Sequence, residues 1–182
     1  VPADYDGDRR QDVAVLRAST SRWYILTSDS AFGTTIVKVF GGAGDTPLPG
    51  DYDGDGRADV ALFRDATVQW WVLRSSDGQV NLSWFGNPGD QPMPADYDGD
   101  GRMDVAVYRP QSGRWFIRQS SSDEVLAIQF GGNPGDVPVS LDYDGDGRAD
   151  VAVYNSTLGR LDVRGGISVS LGQPGDVPAR TR

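Results

Sequence analysis

Cysteine and histidine are absent from this 182-residue chain. Without cysteine no disulfide framework can form, and the redox compartment cannot be inferred from cysteine usage. Without histidine the chain lacks the commonest general base and the commonest ligand of transition metals. No apolar run approaches the ~18 residues of a membrane-spanning helix, and no charged-then-apolar leader opens the chain. We therefore expect no membrane span, and we expect any signal peptide to have been removed or left out.

Lysine and glutamate are nearly absent as well, with Lys38 and Glu124 as their only examples. Arginine therefore supplies most of the 17 basic residues and aspartate most of the 26 acidic ones, for a net charge of −9. A chain of this charge is repelled by nucleic acid phosphates, and no basic patch offsets the repulsion. We expect no nucleic-acid partner, and we look for the chemistry of the chain in its clustered aspartates.

One repeat runs through the whole chain. The string DYDGDGRADVA at 51–61 returns at 142–152, with the variants DYDGDGRMDVA at 96–106 and DYDGDRRQDVA at 4–14. The starts lie 47, 45 and 46 residues apart, and a fixed period of this length is typical of repeat architectures. We predict a single domain over residues 1–182, with repeats of about 1–45, 46–90, 91–136 and 137–182.

Each repeat is predicted to hold four short strands. In the second repeat the segments are 46–50, 59–64, 69–74 and 79–85, separated by the Gly, Asp, Ser and Asn residues of turns. No segment has the apolar periodicity of a helix. Four strands in ~45 residues are typical of a propeller blade, so the predicted fold is an all-β propeller of four four-stranded blades. Half of an eight-bladed dimeric ring, a fragment of a larger propeller and a stacked β-solenoid remain alternatives.

The aspartates of each repeat occupy positions 1, 3, 5 and 9 of a nine-residue loop. Calcium takes six to eight hard oxygen ligands, and alternate aspartates in a tight turn point toward one centre. The carbonyl at position 7 can add a backbone oxygen. We predict about four Ca²⁺ ions, one per repeat. The predicted ligands are Asp4, Asp6, Asp8, Arg10 and Asp12; Asp51, Asp53, Asp55, Arg57 and Asp59; Asp96, Asp98, Asp100, Arg102 and Asp104; and Asp142, Asp144, Asp146, Arg148 and Asp150.

Two rival interpretations of the loop were weighed. An EF-hand needs a bidentate glutamate at position 12, but that position holds Val15, Leu62, Val107 or Val153, each within a strand pattern. A bare polar turn would leave four like charges within nine residues without a cation. The first loop differs from the others because Arg9 replaces the glycine found at position 6 of the other three loops. We expect Arg9 to adopt a strained backbone angle and the first loop to bind calcium most weakly.

The DxDGDGxxD loops and the Phe40-Gly41-Gly42-Ala43 stretch resemble those of the FG-GAP/VCBS repeat family, which occurs in integrin α-subunit propellers and secreted bacterial proteins. The resemblance covers essentially the whole chain. It implies calcium bound at the blade hairpins in a structural role, and a secreted or extracellular location. It implies no particular partner.

We expect a non-catalytic binding module, because no nucleophile or acid–base pair stands out from the repeats. A glycan or an extracellular protein is the expected partner, and a self-assembling scaffold segment of a larger protein is the alternative. Trp23, Trp70 and Trp115 recur in phase and are expected to pack between blades. Trp84 has no aromatic counterpart in the other repeats, so it is the candidate ligand contact.

A recurring arginine is also expected to be structural. Arg17, Arg64 and Arg109 end the second strand of their repeats, whereas Asn155 stands at that place in the fourth repeat. Pairing with the aspartates of the Gly-Asp segments, Asp45, Asp90 and Asp136, is favoured over contact with an acidic partner.

Overall fold

The computed structural model describes residues 1–28 and 33–178, and they form two compact units. The first unit spans Val1–Pro88 and the second begins at Gly89. Each unit contains two antiparallel sheets whose strands are neighbours in chain order. Within the described residues no helix is long and apolar enough to cross a membrane. The helical segments in this part of the chain are 3-10 turns of three residues, Ala18–Thr20 and Asp65–Thr67.

The first unit contains the sheets of repeats one and two. The first sheet consists of β1 (Val13–Arg17), β2 (Arg22–Leu26) and β3 (Thr35–Val39). The second consists of β4 (Thr46–Pro47), β5 (Val60–Arg64), β6 (Gln69–Leu73) and β7 (Val80–Trp84). At the place of a first strand, the first sheet has an antiparallel bridge between Ala3 and Asp12. The predicted strands of repeat two therefore match the observed ones to within a few residues.

The second unit contains the sheets of repeats three and four. One sheet consists of β8 (Gln91–Pro92), β9 (Val105–Arg109), β10 (Arg114–Arg118) and β11 (Val125–Gln129). The other consists of β12 (Asp136–Leu141), β13 (Asp150–Asn155), β14 (Arg160–Val163) and β15 (Ile167–Ser170). Every repeat thus forms its own sheet, which excludes a stacked solenoid. The fold class is the predicted one, all-β with four propeller blades.

The recurring tryptophans form the core of the blades. Trp23, Trp70 and Trp115 have 0%, 1% and 0% of their surface exposed, so the packing interpretation is confirmed. In the first unit Trp23 packs in one cluster with Val60 and Leu62 of the next blade. In the second unit Trp115 packs in the same way with Val151 and Val153. The face of one blade that carries the tryptophan is therefore buried against the valine and leucine face of the next.

The Phe-Gly pair of each of the first three repeats is hydrogen-bonded to this tryptophan. The indole Nε1 atoms of Trp23, Trp70 and Trp115 donate to the carbonyl oxygens of the phenylalanines at 40, 85 and 130, at 3.2, 3.0 and 3.0 Å. A side chain on Gly41 would lie 2.3 Å from Leu62 Cδ1, so the glycine lets the chain pass the next blade. The fourth blade has Leu161 instead of tryptophan, and there the Tyr154 hydroxyl donates to the carbonyl of Leu171 at 3.0 Å.

Two of the three arginines at the ends of the second strands pair with aspartates, as expected. The third, Arg17, lies over the ring of Tyr24, with the guanidinium carbon 4.9 Å from the ring centroid. Arg64 makes a bidentate contact with Asp45 at 2.8 and 2.8 Å, and Arg109 makes the same contact with Asp90 at 2.9 and 2.9 Å. These hydrogen bonds raise the pKa of both guanidinium groups. In the fourth blade the amide of Asn155 donates to Asp136 at 2.7 Å. The aspartates at 45, 90 and 136 are thus held by the second strand of the following repeat.

Removal of the Trp115 side chain should destabilise the second unit strongly. Trp115→Ala deletes a fully buried ring and the Nε1 hydrogen bond, and a cost of about 3–5 kcal/mol in the free energy of unfolding is expected. Trp84→Ala is the matched control, because Trp84 is 58% exposed, and it should change that free energy by roughly 0.5 kcal/mol or less. Urea denaturation followed by fluorescence measures both. Equal losses in the two variants would contradict this account of the core.

Candidate metal-binding loops

Each acidic loop folds around its own first aspartate. In the second loop the Asp51 carboxylate accepts the backbone N–H groups of Gly54 at 2.6 Å and Gly56 at 2.8 Å. Asp53 accepts the N–H of Asp55 at 3.2 Å, and Asp55 accepts the N–H of Arg57 at 2.9 Å. These short-range bonds are Asx-type turns, which aspartate forms readily. They bend the chain so that alternate carboxylates lie on one side of the loop.

The loops gather carboxylates in four places. Within each group one oxygen per residue lies within 4.8 Å of the others. The groups are Asp4, Asp6 and Asp8; Asp51, Asp53 and Asp59; Asp96, Asp98 and Asp104; and Asp142, Asp144 and Asp146. The donors are all hard carboxylate oxygens, which suit Ca²⁺ or Mg²⁺ rather than soft-ligand metals. Each group could hold one metal ion.

These groups bring together three of the four predicted carboxylates in each loop. In the second and third loops the fifth-position aspartates, Asp55 and Asp100, lie outside the group, and Asp100 instead pairs with Arg102 at 2.7 Å. In the first and fourth loops the residue outside is the ninth-position aspartate, Asp12 or Asp150. The contribution of the carbonyl oxygens of Arg10, Arg57, Arg102 and Arg148 stays a prediction.

The aspartate at position 9 joins the loop to the rest of its blade. Asp59 is fully buried, and its two oxygens accept the N–H of Tyr52 at 2.9 Å and of Ser75 at 2.7 Å. Burial raises the pKa of Asp59 above its ordinary range, although the two N–H groups oppose the shift. The same cause raises the pKa of Asp104. The charged form of these groups is therefore costly without a cation, and a bound cation would lower their pKa.

Serines from the hairpin between the third and fourth strands complete three of the loops. Ser75 Oγ donates to Asp55 at 2.9 Å and Ser76 Oγ to Asp53 at 2.6 Å. The third blade repeats both contacts with Ser120 and Ser121, at 2.9 and 2.6 Å. In the first blade Ser28 Oγ donates to the Asp8 carboxylate at 3.0 Å. These serines are not among the predicted ligands, although they follow the recurring tryptophan at a fixed distance in the sequence, a pattern that could have indicated them.

The tyrosine at position 2 of each loop is not among the predicted site residues either. In the first three loops its hydroxyl holds the segment that enters the loop. The hydroxyls of Tyr5, Tyr52 and Tyr97 donate to backbone carbonyls four residues earlier, at 3.1, 2.9 and 2.8 Å. Burial, and then the charge of the ninth-position aspartate, raises the pKa of Tyr5 and Tyr52. These phenols therefore stay neutral donors at physiological pH and hold the segment that enters each loop.

Neighbouring loops contact each other within each unit. In the first unit the N–H of Ala58 donates to the carbonyl of Asp4 at 2.6 Å. A side chain on Gly7 would lie 3.2 Å from Arg57 Cγ, so the Arg57 side chain lies against this loop. The second unit repeats the bond between Ala149 and Asp96 at 2.6 Å. The conformation of one loop therefore affects how the next blade packs against it.

The fourth loop differs from the other three in the length of its hairpin, in its serine contacts and in the exposure of its aspartates. Its hairpin is short, since three residues separate Val163 from Ile167 where eight separate Val72 from Asn81. Within the described part of the chain no serine hydroxyl contacts Asp144 or Asp146, and the three grouped aspartates are exposed. The first loop was predicted to be the weakest, and the structure adds the fourth as a second exception.

Arg9 does adopt the backbone angle that the sequence predicts. Its φ is 66°, against 84° for Gly56 at the same place in the second loop. Its N–H still donates to Asp4 at 2.7 Å, as that of Gly56 does to Asp51 at 2.8 Å. The loop conformation is therefore kept at the expense of a left-handed arginine, which costs about 1–2 kcal/mol relative to an ordinary conformation.

These features define a class of protein: an all-β repeat protein with one acidic turn per blade. The model of the FG-GAP-like repeat matches residues 4–62, 51–107 and 96–153, and the chain belongs to this family. No curated protein matches the chain.

Arg9→Gly should strengthen calcium binding at the first loop, because glycine adopts a positive φ without the penalty that arginine has. Gly56→Arg makes the reverse change in the second loop, where nothing lies within 4 Å of an added Cβ atom. It should weaken binding there by a similar factor, about five- to thirtyfold. Calcium calorimetry on both variants measures the effect. Weaker binding after Arg9→Gly would show that the backbone angle does not limit the first loop.

Proposed function

We propose that this chain is a calcium-stabilised, non-catalytic binding module that acts outside the cell. The observation that carries the proposal is the repetition of one carboxylate group in every blade, joined to the next blade by the Ala58–Asp4 and Ala149–Asp96 bonds. A catalytic or ligand-bridging ion is needed once, whereas an ion that orders a turn is needed in each blade. The role proposed for calcium is therefore structural.

Electrostatics supports a divalent cation in these loops. The loops contribute sixteen aspartates to a chain of net charge −9, and like charges within a few ångströms repel. Four Ca²⁺ ions would bring the net charge to about −1 (−9 + 8). If the loops belong to the extracellular class of sites, their dissociation constants are ~10⁻⁴–10⁻³ M, which suits the millimolar calcium outside the cell.

A saccharide is the ligand class that we favour for the module. Trp84 is exposed on β7 with Val80 and Leu82, and the three side chains lie on the same face of that strand. An exposed aromatic ring next to apolar side chains can stack on the face of a sugar ring. Trp84 therefore stays a candidate contact.

A self-assembling scaffold is the second candidate, and one observation favours it. Val13, Val15, Val37 and Val39 lie on one face of the first blade and are 53%, 57%, 51% and 67% exposed. The counterparts of Val13 and Val15 in the second blade, Val60 and Leu62, are 5% and 1% exposed because the first blade covers them. Light scattering distinguishes the candidates, since a scaffold forms defined oligomers without any ligand.

Calcium removal should destabilise the protein, and calcium addition should restore it. Each site adds ~0.4–1.4 kcal/mol to the free energy of unfolding when free calcium is about one to ten times the dissociation constant. Melting curves in EDTA and in millimolar calcium measure the sum over the loops. An unchanged melting temperature, with metal removal confirmed by elemental analysis, would contradict the structural role.

Asp53→Asn should remove the contribution of the second loop alone. The change keeps the oxygen that accepts the Asp55 N–H but deletes one ligand charge, so the calcium-dependent gain should fall by ~0.4–1.4 kcal/mol. The same variant in EDTA should be as stable as the parent or more stable, because repulsion in the loop is relieved. Glu124→Gln, the control, alters net charge equally at an exposed position outside the loops. An equal calcium response in both variants would exclude Asp53 as a ligand.

A further inference from the structure

The fourth blade departs from the other three on the face that it turns toward the third blade. The central residue of the third strand is aromatic in the first three blades: Tyr24, Trp71 and Phe116. Each of these rings lies under the arginine of its own blade, with the guanidinium carbon 4.9, 5.6 and 4.5 Å from the ring centroid. In the fourth blade Asp162 takes the place of the ring and Asn155 that of the arginine. Both partners of the stack have been replaced together.

A shallow cavity, open to solvent, lies where the ring is missing. It has a volume of about 320 Å³ and is lined by Phe130 and Asn133 of the third repeat and by Val153, Asp162 and Ser168 of the fourth. In the first unit the corresponding ring of Trp71 packs against the core shared by the first two blades. The short hairpin of the fourth blade, with Gly165 and Gly166 at its turn, also borders the cavity. The cavity is at the small end of the ~300–1,000 Å³ range of ligand pockets.

Two polar side chains that line the cavity, Asp162 and Ser168, are hydrogen-bonded to each other, and Arg160, which lies outside the lining, holds Asp162. Asp162 accepts the hydroxyl of Ser168 at 2.7 Å and the Nε–H of Arg160 at 2.9 Å. The Arg160 guanidinium also makes an ion pair with the same carboxylate, at 2.9 Å from Nη2. The counterpart of Ser168 in the second blade is Leu82, so the pair of facing residues has changed from apolar to polar on both strands. The carboxylate is neutralised and positioned, and it keeps lone pairs for a further donor.

We propose that this cavity binds a single neutral sugar ring at the end of a saccharide. Asp162 would accept from one ring hydroxyl and Ser168 would contact the next, while Arg160 holds Asp162 in place. The apolar wall of Phe130 and Val153 would face the C–H side of the ring. A neutral ligand is expected because Arg160 already balances the charge of Asp162. This inference rests on the proposed binding function and assigns it to the fourth blade instead of to Trp84.

The test uses the full chain in millimolar calcium and a panel of free monosaccharides. The panel contains glucose, galactose, mannose, fucose and N-acetylglucosamine, with glucosamine and glucuronate as charged comparisons, and binding is followed by ligand-observed NMR and calorimetry. Asp162→Trp fills the cavity with the residue that the second blade has there, and it should weaken the binding of a neutral sugar at least tenfold. Ser168→Ala removes one hydrogen bond and should weaken it about three- to tenfold. Glu124→Gln changes an exposed residue outside the cavity, so it is the control and should bind as the parent does. Trp84→Ala tests the alternative site on the second blade.

Each alternative outcome overturns the inference in a distinct way. If no sugar binds the parent chain, the saccharide site fails, while the structural role of calcium is still decided by the melting curves. If a sugar binds but Asp162→Trp and Ser168→Ala leave its affinity unchanged, a saccharide function stands and its site lies elsewhere. If only Trp84→Ala abolishes binding, the site belongs to the second blade. Tighter binding of a charged sugar than of its neutral parent would contradict the proposal that the cavity takes a neutral ligand. The melting temperature of each variant in calcium confirms that it is folded.

Discussion

A buried carboxylate holds each of the first three blades together at its loop end. Asp59 accepts one N–H from the start of its own loop and one from the hairpin that follows the third strand. Asp12 and Asp104 make the same two contacts, with bonds of 2.7 to 2.8 Å. Three segments that are far apart in the chain thus meet at one side chain. Because the charge is buried, the geometry is stable only where these donors, and any cation beside them, compensate for the lost water.

This arrangement explains why the loops and the blades cannot be treated separately. The first aspartate of a loop accepts the N–H groups that form the turn, and the tyrosine hydroxyl holds the segment that enters the loop. The ninth-position aspartate joins the loop to the second strand and to the hairpin after the third strand. The tryptophan and Phe-Gly pair then fix the opposite end of the same strands. In the fourth blade the hairpin is shorter, and Asp150 keeps the contact with Tyr143 at 2.8 Å but is only half-buried. Its loop is correspondingly the most exposed.

The fold could be predicted from the sequence because the same pattern of residues occurs in four repeats. The strands of the second repeat, the burial of Trp23, Trp70 and Trp115, and the pairing of Arg64 with Asp45 all follow from positions that keep the same phase. The aspartates at odd positions likewise predicted the carboxylate groups, since Asx turns depend on neighbours two to five residues away. Local chemistry of this kind can be read from a string of residues.

Contacts between distant segments were not predicted. The serines at 75 and 76 look like ordinary turn residues. Only the folded hairpin brings their hydroxyls to Asp55 and Asp53, which lie 20 and 23 residues earlier in sequence. The replacement of Trp71 by Asp162 was equally hard to notice, because a single aspartate in a short strand resembles an exposed polar position. Its meaning depends on the blade that faces it, and that pairing of faces is a property of the fold.

The bond between neighbouring loops has a consequence for how such a protein responds to its surroundings. Because Ala58 donates to Asp4 across two blades, an ion that orders one loop also preorganises the donor or acceptor of the next. Under the proposed function the two loops of a unit would then fill cooperatively, and the stiffness of a whole unit would change over a narrow interval of calcium concentration. A newly synthesised chain would remain pliable where calcium is scarce and become rigid on reaching a calcium-rich environment.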